Sequence, residues 1–264
     1  MKGGWVVGLL LCVLVAGCSQ SSDSPPATTQ KRAAAQQGLP PGFQLSVYAD
    51  GVTRARFMSF APDGTLYVGS NAGKVYALPD RNRDGRADEV IVFKDGLRSP
   101  HSVAWRNPST PPLDFARGKL GAGGWLYVGE THRVIRLRDT DGDLRADQQE
   151  VVVADLPPGG MHFTRTIGFG PDPSTPLGTG GGLYVSVGSS CNVCEEEDER
   201  RAAILRFEPD GSPGASGQIH ARGLRNAVGF AWEPKTGALW ATDNGRDWLG
   251  DDLPPEELDL VRRG

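Results

Sequence analysis

Histidine is scarce in this chain: His101, His132, His162 and His220 are the only four. His162 stands out by its neighbours. In GGMHFTRTIGFGPD, residues Gly159 to Asp172, it lies two residues after a glycine pair and just ahead of a short apolar run, with Arg165 three residues on. Imidazole titrates near neutral pH, so a histidine held in a loop at a strand end can act as a general base. A packed loop histidine is the plainer alternative. Two other segments stand in the same relation to an apolar run, Ser99-Pro100-His101 and Gly223-Leu224-Arg225-Asn226. The three segments offer imidazole, imidazole with guanidinium, and guanidinium with amide. A guanidinium can hold a carboxylate or carbonyl and stabilise developing charge.

Two acidic loops share one layout. Asp80, Asn82, Asp84 and Asp88 recur 59 residues on as Asp139, Asp141, Asp143 and Asp147, at positions 1, 3, 5 and 9 of each loop. Calcium needs several oxygens converging from a tight loop, and this spacing can supply them. Glu150 stands at position 12 of the second loop, but Ile91 holds that place in the first. Both loops join strand-like runs, so neither is an EF-hand. Equally, the aspartates can cap turn amides with no metal. Cys191 and Cys194 form a single CxxC. Structural zinc wants four ligands, and no histidine nearby completes a set. A disulfide pinning a loop is the reading for an oxidising compartment.

Positioning these groups falls to a repeated set of strands. Leu66, Leu126, Leu183 and Leu239 sit in LYV-like runs at spacings of 60, 57 and 56 residues. Runs such as FMSF (57–60), SVAW (102–105), TIGF (166–169) and VGFAW (228–232) precede them, and KVYAL, RVIRL and AILRF follow the first three. A period of 50 to 60 residues rich in strands and turns predicts an all-β fold, a β-propeller of four-stranded blades. About four blades fit between Phe43 and Gly264. Six blades at this period need roughly 340 residues. The expectation is therefore a C-terminally truncated piece of a longer ring.

The first residues read as targeting sequence. Lys2 precedes an apolar run from Trp5 to Ala16, too short to span a bilayer and suited to a signal peptide. Val15-Ala16-Gly17-Cys18 resembles a lipobox, which implies cleavage before Cys18 and its lipidation. Residues 1–17 are thus read as a lipoprotein signal peptide, 18–40 as a disordered tether and 41–264 as the propeller domain. The expected location is the periplasmic side of a bacterial cell envelope, with membrane contact through the anchor alone. The net charge of −4 carries no basic patch and argues against nucleic acid.

From His162 onward, HFTRTIGFGPD, GGLYVSVGSSCNVCEEEDERRAAILRFEPDG and ARGLRNAVGFAWEPKTGALWATDNGRDWLGDDLPPEELDLVRRG resemble the sorbosone dehydrogenase group. That group lies within the soluble quinoprotein glucose dehydrogenase superfamily. The resemblance implies a six-bladed propeller that oxidises an aldose or sorbosone-type sugar with pyrroloquinoline quinone (PQQ) and calcium. It implies that His162 is the general base and that Arg225 and Asn226 bind the quinone, Arg225 also stabilising charge. Asn244-Gly245-Arg246 matches the segment that offers calcium its carbonyls, and Glu256, Glu257 and Asp259 match the acidic stretch after it. Arg165 is expected to line the channel beside the cofactor or to pair with an acidic loop. His101 is expected to be a channel-facing loop residue and matches no role. One departure is notable. The glucose-oxidising members carry Gly-Asp where this chain has Gly188-Ser189, so the carboxylate that orients the histidine is replaced. A calcium-dependent sugar lactonase and a non-catalytic ligand-binding propeller are the alternatives.

Overall fold

The computed structural model describes residues 39–106, 124–171, 181–211 and 217–264. The residues read as a signal peptide, Cys18 and the part read as a tether up to residue 38 lie outside them. Two units are separated at Val47 and Tyr48. In the first, the described stretch holds a turn in which Phe43 N–H donates to Pro40 O.

The second unit is all-β, with fifteen strands among the described residues. Blade one comprises β1 (Ala55–Phe60), β2 (Leu66–Ser70), β3 (Lys74–Leu78) and β4 (Ile91–Lys94). Blade two comprises β5 (Ser102–Arg106), β6 (Trp125–Glu130), β7 (Arg133–Arg138) and β8 (Gln148–Val153). Blade three holds β9 (Ile167–Phe169), β10 (Leu183–Val187), β11 (Ala203–Phe207) and β12 (Gln218–Arg222). Blade four shows β13 (Ala227–Trp232), β14 (Leu239–Asp243) and β15 (Glu257–Val261). Every sheet is an antiparallel meander in chain order, as the repeat predicts. The chain forms a four-blade β-propeller.

Burial explains the strand chemistry. β2 is buried at every position and β3 at all but its first. A strand buried on both faces must be apolar throughout, hence LYV and VYAL. Outer strands are half-wet, and β8 reads QQEVVV with its first four residues exposed. Three apolar layers cement the blades. Tyr67, Val75 and Phe93 of blade one meet Val103, Leu126, Ile135 and Leu137 of blade two. Tyr127, Val134 and Val153 meet Ile167, Leu183, Val185 and Leu205. Ile204 and Ala221 meet Ala227, Leu239 and Ala241.

The inner strands are also stitched together. Trp105 N–H donates to Ser59 Oγ (3.0 Å), Ile167 N–H to Ser102 Oγ (3.3 Å), and Thr166 Oγ1 to Val228 O (2.5 Å). The segments before β5, β9 and β13 therefore lie side by side at one end of the blades. Gly129 permits this closeness, since a Cβ there would lie 2.6 Å from Arg165 O. His101 differs from expectation. It is wholly buried rather than facing a channel, and its Nδ1 accepts from Arg56 Nε at 3.3 Å.

Two stability outcomes follow. Leu126→Ala, which empties a site at 0% exposure, should cost about 2–5 kcal/mol in urea denaturation. Burial foremost, then Arg56 and Arg165, lowers the His101 pKa from 6.5 to about 4. The unfolded chain therefore binds this proton more readily, and stability should fall as pH drops through that window. His101→Gln should flatten this part of the pH–stability curve.

Candidate active site

His162 sits on the loop leading into β9. Met161 N–H donates to Ser190 O (2.8 Å) and His162 N–H to Ser189 O (3.4 Å), laying the loop along the segment after β10. The imidazole Nδ1 lies 3.0 Å from Ser189 O and 2.9 Å from Ser189 Oγ. A carbonyl can only accept, so Nδ1 carries the proton. The Ser189 hydroxyl spends its own proton on Cys191 O (2.8 Å), leaving Oγ free to accept. Nε2 then bears the lone pair, the form a general base requires. Serine thus occupies the orienting place expected of a carboxylate.

The environment favours the neutral form of His162. Its pKa is lowered, first by burial. The backbone bond to Ser189 opposes this, Arg225 adds to it, and Asp247 and Asp243 oppose it. Gly188 separates the ring from the next group. A Cβ there would lie 2.5 Å from His162 Cβ and 2.9 Å from Asn226 Oδ1. Only a glycine lets imidazole and amide come this near.

Arg225 and Asn226 lie on the loop into β13, and Asp243, the last residue of β14, holds both. Its Oδ2 accepts Arg225 N–H (2.8 Å) and its Oδ1 accepts Asn226 N–H (2.5 Å). Ser189 N–H in turn donates to Arg225 O (2.8 Å), tying the two loops together. The Arg225 guanidinium donates from Nε to Asn192 O (2.9 Å) and from Nη1 to Asn244 O (2.9 Å). Its Nη2 reaches Asn192 Oδ1 and Asp247 Oδ2, both at 2.8 Å.

Arg165 takes a place the sequence does not suggest. It has 0% exposure and points into the protein, where it pairs with no acidic loop among the described residues. Nη1 donates to His162 O (3.0 Å) and Thr164 O (2.7 Å), and Nη2 to Pro157 O (2.5 Å). Burial, then Arg201, lowers its pKa to about 10. It braces the His162 loop from behind by gathering backbone carbonyls.

The acidic residues divide in two ways. Asp243 pairs with Glu257 across β14 and β15, and Asp259 is two residues further along β15 on the same face. Carboxylate oxygens of Asp243, Glu257 and Asp259 lie within 4.8 Å of one another. Burial foremost, and then the Asp259 charge, raises the Asp243 pKa against the two amides it accepts. Glu256 turns elsewhere and accepts Gly245 N–H (3.0 Å). Arg246 is exposed.

In the repeated loops the side chains cap turn amides. Asp80 accepts from Asp84 and Gly85, Asn82 from Asp84, Asp84 from Arg86, and Asp88 from Arg81. Asp139 accepts from Gly142 and Leu144, Asp141 from Asp143, Asp143 from Arg145, and Asp147 from Thr140. Asp139, Asp141 and Asp147 also bring oxygens within 4.8 Å of one another. Glu150 is not turned toward this loop; it accepts from Arg136 Nε at 2.8 Å. Cys191 and Cys194 form the expected disulfide. Asp243, Asn192 and Asp247 are the site residues that sequence reading misses. The pairing of β14 with β15 is the one signal that could have singled out Asp243.

His162 should titrate below the usual histidine value, followed by NMR of its ring protons. Ser189→Asp places a negative charge beside Nδ1 and should raise that pKa. An unmoved titration would show that Ser189 does not face the ring.

A family model described as TrAA12-like matches residues 37–254. An uncharacterized protein of Borreliella burgdorferi is 35% identical over 234 residues, covering 84% of this chain and 53% of the relative. One of Synechocystis sp. is 24% identical over 238 residues, with shares of 81% and 56%. The chain spans about half the length of the curated relatives it matches. Among solved structures, the PQQ domain of pyranose dehydrogenase from Coprinopsis cinerea aligns with TM-score 0.67 and 19% identity, over 86% of this chain and 55% of that one. A calcium structure of the Trichoderma reesei AA12 carbohydrate-active enzyme gives 0.60 and 21%, with shares of 86% and 59%. A PQQ-bound aldose sugar dehydrogenase from Streptomyces coelicolor gives 0.56 and 20%, with shares of 83% and 63%. At such identities the likeness is one of fold. The family match covers most of the chain, and the protein belongs to the TrAA12-like family.

Proposed function

We propose that this chain is the catalytic part of a PQQ- and calcium-dependent oxidoreductase that oxidises an aldose or sorbosone-type sugar. One observation carries the reading: Ser189 holds the His162 Nδ1 proton and leaves Nε2 as a free base in a half-buried site bordered by Arg225 and Asn226. The fold shared with PQQ-binding sugar dehydrogenases supports it.

The residues present fit the two groups in kind. Of the five guanidinium N–H groups of Arg225, Nε, both of Nη2 and one of Nη1 are committed, which leaves one on Nη1 for an anionic ligand. Asn226 follows Arg225 on the same loop, and exposed Arg246 adds positive charge nearby in sequence. Asp243, Glu257 and Asp259 form an all-oxygen donor set suited to a hard cation. Gly245 and Glu256, bonded to one another, border that set. When bound, the quinone would supply the hydride acceptor and calcium would polarise it. His162 would take the sugar hydroxyl proton on Nε2, while Ser189 steadies the imidazolium through Nδ1–H. Arg225 would stabilise negative charge as it develops. On this reading the protein works outside the cytoplasm, anchored through Cys18.

The test uses the full reading frame without its leader, supplied with calcium and PQQ. Dye reduction with a panel of aldoses is expected, together with quinone absorbance retained after desalting. His162→Gln should lower turnover by about 10²-fold or more while quinone is retained. Absence of both activity and retained quinone in the wild type would reject the proposal. Hydrolysis of sugar lactones with calcium alone would favour a lactonase instead.

A further inference from the structure

The Cys191–Cys194 loop touches both halves of the site. Val193 at its tip is 62% exposed, whereas Asn192 turns inward. The Asn192 backbone oxygen accepts from Arg225 Nε, and its Oδ1 accepts from both Arg225 Nη2 (2.8 Å) and Asp247 N–H (2.8 Å). Its Nδ2 donates to Asp247 O (3.1 Å). One residue thereby takes the Nε–Nη2 edge of the guanidinium in bidentate fashion, a geometry that fixes the plane of the group as well as its place. Asn192 also binds the Asp247 backbone, whose carboxylate completes the cradle. One residue earlier, Cys191 O accepts the Ser189 hydroxyl proton and so directs the Oγ lone pair at His162. A four-residue loop closed by a disulfide has few conformations in which both contacts can be lost.

We infer that the Cys191–Cys194 loop is a positioning element of the active site, in which Asn192 sets the orientation of Arg225 and Cys191 O sets the hydrogen-bonding sense of Ser189 toward His162. The inference rests on the proposed function for what Arg225 and His162 do, though not for how they are held. Asn192 is a positioning residue: it acts through Arg225.

The experiment compares wild type, Asn192→Ala and the double variant Cys191→Ser/Cys194→Ser in the full chain without its leader. Two readouts are taken in parallel. The first is the ¹⁵N–¹H signal of Arg225 Nε without added quinone, assigned by its loss in Arg225→Lys. The second is PQQ affinity by absorbance titration with calcium present. Asn192→Ala should move the Arg225 signal to the position of solvent-exposed arginines and weaken PQQ binding at least tenfold. Its far-UV circular dichroism spectrum should match wild type, which a general loss of structure would not allow. The double variant should perturb the Arg225 signal and the His162 titration together. An unmoved Arg225 signal in Asn192→Ala, or a double variant with both signals as in wild type, would overturn the inference. Failure of the wild type to bind PQQ would count against the proposed function alone, since the Arg225 signal still decides the role of the loop.

Discussion

Each blade depends on having a neighbour. β2, β3 and β6 are buried on both faces, so a sheet built on them cannot stand alone in water. Burying a Leu, Ile or Val side chain is worth about 1.5–3 kcal/mol, and the layers between blades collect that gain repeatedly. The same demand brings the segments before β5, β9 and β13 together at one end. The site arises where two of these segments, and the loop after β10, are forced into contact.

Within the site, backbone groups carry most of the order. Arg165 collects three carbonyls of the His162 loop, Asp243 collects two amides of the Arg225 loop, and Ser189 N–H joins the loops. The Arg165 side chain serves as scaffolding, Asp243 both holds amides and faces Glu257 and Asp259, and His162 and Arg225 stay partly accessible. A buried charge without partners is expensive, so such groups persist only where dipoles replace their water.

The strands were largely legible because burial on both faces leaves an apolar signature. LYV, VYAL and RVIRL could be found by their period. β12, with the sequence QIHAR, could not, since an outer strand half in water has no such signature. The position of His162, Arg225 and Asn226 before inner strands was legible for the same reason. His101 shares that register, yet the packing of Phe57 against its ring seals it in, and no periodicity reports which way a loop side chain turns. Asn192 was illegible in function because its partners lie 33 and 55 residues away and meet it only through loop geometry. The acidic loops left two readings open, and their side chains cap turns in the structure.

Serine at position 189 has a consequence for how strongly His162 can pull on a proton. A carboxylate partner would stabilise the imidazolium and make the ring a stronger base, at the expense of carrying a proton in weakly acidic surroundings. A neutral hydroxyl and carbonyl give the opposite trade. The ring is a weaker base, and at any given pH it is more often free of a proton than a carboxylate-backed ring would be. The exchange of one side chain thus gives up driving force per encounter for readiness across a wider range of acidity.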